Sequence, residues 1–221
     1  MSLDSLPEII WLKDQYPILK DCEIQVSQNP NLEGGRFNLP SPEQGMSRVR
    51  VEIAQGDDAS FELLKRERKS AVEKMAEHLG RPVEGLNGTT IRKFIILHEF
   101  GHAYDFLMNF AANPQNALPN ILDRWHTATN EELMTLPFPG ISPSEIREWV
   151  AEMGSFDTWR THDQRIAEWC VENNISSLDD LLELQENAYR QLPKETFADS
   201  FASEAVRLFE SSHASSPSKT H

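Results

Sequence analysis

IRKFIILHEFGHAYDFLMNF, residues 91–110, is an apolar stretch with few polar interruptions. At about 100° per residue its apolar side chains fall on nearly every side of a helix, which is typical of a helix buried in a core. Between Lys93 and Asn109 the polar residues are His98, Glu99, His102 and Asp105, and they gather along one side. Because a buried polar group is costly without a partner, this stripe predicts a partner common to several of them.

Three of these residues form the string H-E-x-x-H: His98, Glu99 and His102. Residues four apart lie on one face of a helix, so both imidazoles can bind the same metal ion, with Glu99 beside them as a proton carrier. The alternative is an ordinary buried helix with two hydrogen-bonded histidines. The polar stripe favours the metal site, and zinc is the expected ion because it accepts imidazole nitrogen and carboxylate oxygen.

A catalytic zinc site usually has three protein ligands, so a third must come from elsewhere. The extended motif that continues to a glycine and a third histidine is excluded, since those positions hold Asp105 and Met108. Glu195 is the best candidate, because Asp199 shares its helical face and Pro193 can open that helix. Asp199 can then orient a ligand histidine through its far nitrogen. Three other glutamates lack an acid four residues later: Glu183, Glu186 and Glu204.

The two segments resemble the gluzincin group of zinc metallopeptidases. HEFGHAYD at residues 98–105 and ETFADSFASEAVRLF at 195–209 are similar to the anthrax lethal factor family and the Pro-Pro endopeptidases. The ImmA/IrrE metallopeptidases have a similar H-E-x-G-H string. The resemblance implies a zincin-like fold in which His98, His102 and Glu195 bind zinc. It also implies Glu99 as the catalytic base and Asp199 as the partner of a ligand.

An oxyanion-stabilising residue is also expected. Lethal-factor-like enzymes carry a tyrosine shortly before the ligand glutamate, and Tyr189 stands six residues before Glu195. The resemblance therefore implies Tyr189 as a catalytic residue, while His126 is the alternative. Together these parts predict a zinc metallopeptidase of the endopeptidase type, in which a zinc-activated water attacks the peptide bond and Glu99 is the general base.

Other classes of function stay open. The chain can be a catalytically silent zincin-fold protein that serves in binding or regulation, although a structural zinc site does not need the carboxylate of Glu99. A regulatory protease of the ImmA/IrrE kind would act with a DNA-binding partner, and no helix-turn-helix is evident. A non-peptidase zinc hydrolase such as a deformylase would need a cysteine-containing ligand motif, which is missing.

Composition limits the partners. The net charge of −14 argues against binding to nucleic acid or to an anionic membrane, so we expect a peptide or protein substrate. No uninterrupted apolar run reaches the roughly 20 residues of a membrane span. Cys22 and Cys170 do not form a disulfide framework and are expected to be buried thiols. Residues 1–4 show no signal peptide, which predicts a cytoplasmic protein, or a secreted one if a signal peptide was removed. The sequence indicates no oligomeric state.

Hydrophobic patterns predict an α+β fold that is mostly helical, with a small sheet ahead of the H-E-x-x-H helix. We expect one catalytic domain over 1–210, with a helical elaboration at about 111–192 and a disordered tail at 211–221. The expected strands are 22–26, 37–39 and 48–53. The expected helices are 6–19, 61–79, 119–134, 143–153, 161–173 and 177–191.

Two finer expectations concern the site and the core. Residues 49–53, or a neighbouring strand, are expected at the edge of the sheet, where an extended substrate would pair. Thr89 or Thr90 is expected to cap the H-E-x-x-H helix. Four tryptophans at helical spacing are expected in the core: Trp125, Trp149, Trp159 and Trp169.

Overall fold

The computed structural model describes residues 3–29, 32, 34–112 and 117–214. Its fold is α+β and mostly helical, as predicted. The strands are β1 (Glu23–Val26), β2 (Gly35–Asn38) and β3 (Arg50–Ile53). The helices are α1 (Pro7–Gln15), α2 (Asp58–Glu67), α3 (Lys69–Leu79), α4 (Gly88–Asp105), α5 (Leu118–Leu133), α6 (Pro143–Glu152), α7 (Phe156–His162), α8 (Gln164–Glu172), α9 (Leu178–Tyr189) and α10 (Pro193–Ala214). A π-helical turn, Phe106–Phe110, extends α4.

The three strands form one sheet in the order β1-β3-β2. Strand β3 pairs parallel to β1 and antiparallel to β2. Val51 and Ile53 on β3 are fully buried, which suits the central strand of a sheet. The assignment of residues 49–53 to the edge is therefore wrong, and the edges belong to the neighbours β1 and β2.

Two predicted helices are each broken in two. The chain leaves helical geometry at Arg68, with φ −130° and ψ 49°, so that α2 and α3 replace the single helix over 61–79. Asp163 adopts an extended conformation and divides 161–173 between α7 and α8. Its carboxylate accepts a hydrogen bond from the backbone N–H of Arg165 at 2.8 Å, because Asp makes a better helix cap than an interior residue.

The cap of the H-E-x-x-H helix lies two or three residues before the predicted ones. Asn87 is the N-cap residue, and its side chain accepts from the backbone N–H of Thr90 at 2.9 Å. Thr89 and Thr90 lie inside the first turn, so the expectation that one of them caps α4 is wrong. Asparagine ranks above threonine at this position because its carbonyl reaches the free N–H groups of the first turn.

The chain divides into two compact units, one comprising residues 1–125 and 194–221 and the other residues 126–193. The first contains the sheet, α1–α4 and α10 around one core. The second contains α6–α9 around its own core, which includes Phe138, Ile146 and Trp159. The second unit overlaps the predicted elaboration at 111–192, while the single catalytic domain over 1–210 stays a prediction.

The predicted tail at 211–221 is wrong in its first part, because α10 runs to Ala214. The hydroxyl of Ser211 donates to the carbonyl of Arg207, and that of Ser212 to Phe209, each at 2.8 Å. Serine side chains that bond back to the preceding turn are compatible with a helix. Residues 215–221 lie outside the described part of the chain.

Burial confirms most of the predicted core. Both cysteines are free and buried, and burial raises the pKa of Cys22 to about 12. Trp125 and Trp159 are buried, as predicted. Trp149 is 42% exposed, so the expectation that it belongs to the core is wrong. Within the described residues, no helix combines the length and apolar character needed to cross a bilayer.

Helix α4 is the buried helix that its sequence predicts. Eleven of its 18 residues are buried, including all five of the H-E-x-x-H string. Gly101 lies directly against α10, because a Cβ atom placed there would be 2.9 Å from the Cα atom of Ala198. The absence of a side chain at 101 therefore lets α10 pack directly on the motif.

Replacing Gly101 with Ala tests this contact. In an open helix the change stabilises by roughly 1 kcal/mol, but overpacking against Ala198 costs about 1–3 kcal/mol. We expect the free energy of unfolding, measured with urea, to fall. Gly85→Ala is the control, because its Cβ would meet Pro82 at an ordinary 3.4 Å. A more stable Gly101→Ala protein would contradict the close packing of α4 and α10.

Candidate metal centre

Three side chains from two helices of the first unit converge. His98 and His102 come from α4, and Glu195 comes from the first turn of α10. One ligand atom from each lies within 4.8 Å of the others. The Nε2 atoms of the two histidines are 3.1 Å apart. The carboxylate oxygens of Glu195 lie 3.4 Å from His98 Nε2 and 3.3 Å from His102 Nε2.

This group has the composition of a metal site. His98, His102 and Glu195 are each less than 10% exposed, so water cannot readily satisfy them. The two ring nitrogens face each other as well as the carboxylate, and a single hydrogen bond cannot satisfy all three groups. Two imidazoles and one carboxylate are a donor set that zinc accepts in catalytic sites. The cluster is therefore able to hold a divalent cation, and its donors fit zinc.

Asp199 orients one of these ligands. It lies one turn after Glu195 on α10, and its Oδ1 atom is 2.8 Å from Nδ1 of His98. A proton on Nδ1 donates to this carboxylate and leaves the Nε2 lone pair facing the cluster. His78 of α3, to which the sequence assigned no role, has its Nε2 atom 3.9 Å from the second oxygen of Asp199. Nothing in the spacing of the chain signals this approach.

The electrostatics of the cluster favour positive charge. Burial lowers the pKa of His98, but the hydrogen bonds and charges of Asp199 and Glu195 outweigh it and raise the pKa to about 10. Burial raises the pKa of Glu195, but His102 and His98 hold it well below its usual range. Two buried carboxylates thus stabilise a cation between them, and a metal ion meets the same requirement as a proton.

Glu99 lies against the edge strand β2. A Cβ atom on Gly35 would lie 2.7 Å from the Cγ atom and 3.0 Å from the Oε1 atom of Glu99. Gly35 is thus needed for the strand to pass this close to the carboxylate. Glu99 is itself 8% exposed and does not belong to the ligand triad. The one buried carboxylate of α4 therefore lies against an edge strand and outside the ligand triad.

An aromatic cluster supports the ligands from the side. Phe37 of β2 packs 6.4 Å from the ring of His102 and 5.7 Å from Trp125, measured between ring centroids. The ammonium of Lys194 lies 4.8 Å from the centroid of Trp125 and 5.5 Å from that of Phe110. Because Lys194 precedes Glu195, this cation–π contact fixes the first turn of α10. The sequence pattern did not indicate that Phe37 or Lys194 would support the metal donors.

The remaining candidates fall outside the cluster. Asp105, part of the predicted polar stripe, accepts a hydrogen bond from Asn109 at 2.6 Å and is not among the metal donors. Tyr189 ends α9 in the second unit, where the guanidinium of Arg190 lies 6.0 Å from its ring centroid. His126 is an exposed residue of α5. The oxyanion role of Tyr189, or of His126, stays a prediction.

Comparison with protein-family models, with curated proteins and with solved structures finds no match to this chain.

Zinc binding by purified protein tests the cluster. We expect about one zinc per chain, and loss of tight binding in His98→Ala, His102→Ala and Glu195→Ala. Asp199→Asn should keep the metal but weaken its affinity by about 10- to 100-fold, because the ligand histidine loses its charged partner.

Asp105→Asn is the matched control. Like Asp199→Asn it removes one negative charge, but it does so on α4, three residues after His102. We expect its zinc affinity to stay within about twofold of the unmodified protein, because Asp105 is bonded to Asn109 and is not among the metal donors. Equal losses in the Asp199 and Asp105 variants would show that net charge, rather than the hydrogen bond to His98, governs affinity.

Proposed function

We propose that this protein is a zinc-dependent metallopeptidase of the gluzincin type, with a zincin-like arrangement of α4, α10 and the sheet. One observation carries the proposal. His98, His102 and Glu195 converge as metal donors, while a fourth buried group, Glu99, stays outside the triad on the same helix. A structural metal site has no use for that additional carboxylate.

Each residue then has a definite task. His98, His102 and Glu195 would hold the ion, and Asp199 would keep His98 in the tautomer that presents Nε2. When bound, zinc supplies a Lewis acid that acidifies water and polarises a carbonyl oxygen. The carboxylate of Glu99 accepts the proton of the attacking water and then donates it to the amine that leaves. Burial of Glu99 keeps bulk water from competing for this proton.

The substrate would be a peptide or protein segment in extended form. Strand β2 has β3 as its ladder partner and stands at the end of the strand order. An added strand gains backbone hydrogen bonds along such an edge without regard to side-chain identity. Because Gly35 brings β2 against Glu99, a peptide paired with this edge would run beside the base.

Glu99→Gln is the decisive variant. It removes the proton acceptor while preserving size, so we expect zinc content to remain about one per chain and turnover to fall by roughly 100- to 10,000-fold. Turnover is measured on a quenched fluorescent peptide library. Glu204→Gln, an exposed position of α10, is the control and should cleave normally.

Two results would count against the proposal. Cleavage by Glu99→Gln at the rate of the unmodified protein would exclude Glu99 as the base. A fully zinc-loaded protein that leaves every library peptide intact would favour the alternative, a silent zincin-fold protein with a role in binding or regulation.

A further inference from the structure

We propose that the second unit, residues 126–193, binds an arginine side chain of a basic peptide in an aromatic pocket formed by α6, α7 and α8. The pocket lies wholly within this unit and involves none of the residues of the metal centre. The proposal therefore does not rest on peptidase activity.

The pocket has the size and walls of a ligand site. Its volume is about 660 Å³, which falls in the range of roughly 300–1,000 Å³ typical of small-molecule and side-chain pockets. Three tryptophans line it, Trp149 from α6, Trp159 from α7 and Trp169 from α8, together with Phe138. Phe138 packs edge-on against Trp169 and Trp159, with ring centroids 4.9 Å and 5.8 Å away. These contacts give the pocket a fixed aromatic wall.

The tryptophans differ in their access to solvent. Trp159 is 1% exposed and belongs to the core of the unit, whereas Trp149 is 42% exposed. An indole that stays open to solvent beside a cavity offers its face to a ligand. Indole is also the aromatic ring that attracts cations most strongly. Arginine guanidinium groups form such cation–π contacts more often than lysine ammonium groups do.

A carboxylate stands next to this indole. Glu152 lines the pocket and lies three residues after Trp149 on α6, which places both on one face of the helix. Glu152 is exposed, and within the described residues it forms no hydrogen bond or ion pair. The cation of the pocket, Arg165, is already bound to Asp163 at 2.7 Å. Trp149 and Glu152 thus place a partly exposed indole and an unpaired carboxylate in the lining of the same pocket.

The whole unit favours a basic partner. Residues 126–193 contain 13 Asp and Glu residues, four Arg and no Lys, so they carry −9 of the total charge of −14. Such a field raises the rate of encounter with basic peptides and repels acidic ones. Arginine fits better than lysine because its planar guanidinium stacks on a ring and pairs with a carboxylate at the same time.

Fluorescence anisotropy with a fluorescein-labelled (Gly-Arg)4 peptide tests the proposal. We expect saturable binding to the unmodified protein, about tenfold weaker binding to Trp149→Ala, and near-normal binding to Trp149→Phe, which keeps a ring. Glu152→Gln should weaken binding by about threefold. Glu172→Gln removes the same charge from α8 away from the pocket and should stay within about twofold.

Four results would overturn the proposal. The first is no binding of the peptide. The second is equal binding by Trp149→Ala, Glu152→Gln and Glu172→Gln, since the peptide would then sense only net charge. The third is equal binding of (Gly-Gln)4 or (Gly-Lys)4. The fourth is a dimer in sedimentation that Trp149→Ala dissociates, because a second copy would then occupy the pocket. Circular dichroism shows that each variant is folded.

Discussion

The rest of the first unit depends on one interaction, in which the Glu195 carboxylate of α10 is buried against the two imidazoles of α4. A carboxylate and two ring nitrogens without access to water need a shared positive charge, and Asp199 adds a second carboxylate one turn later. This requirement explains why α10 must return to α4 from the far end of the chain. It also explains why a glycine stands at 101, where the two helices touch.

Much of this arrangement is readable from the sequence, because it rests on helical periodicity. The burial of α4, the convergence of His98 and His102, and the pairing of Glu195 with Asp199 all follow from positions three or four apart. The alternation of residues in β3 is equally local, so its strand was predicted within two residues. Features that depend only on such local patterns can be predicted without knowing how the rest of the chain folds.

What the sequence does not reveal depends on distant packing. β3 is central because it pairs with both other strands. The alternating sequence of one strand does not indicate which strands it pairs with. The approach of His78 to Asp199, the ring of Phe37 beside His102, and the contact of Lys194 with Trp125 join residues far apart in the chain. The breaks at Arg68 and Asp163 lie within continuous helical patterns. At Asp163 a capping side chain outweighs periodicity.

The two units differ in the kind of chemistry that they offer. The first gathers a few charged groups in a dry interior, where each is strongly perturbed by its neighbours. The second carries 13 acidic residues and contains an aromatic pocket whose lining includes Glu152 and Asp163.

X-ray absorption at the zinc edge tests the central claim most directly, because it counts and identifies the atoms around the ion. We expect one zinc per chain with two imidazole nitrogens and one carboxylate oxygen at about 2.0–2.2 Å. In Glu195→Ala, whose weakened site is filled by a high zinc concentration, we expect that oxygen to be lost. A shell containing sulfur, or a spectrum that Glu195→Ala leaves unchanged, would contradict the account.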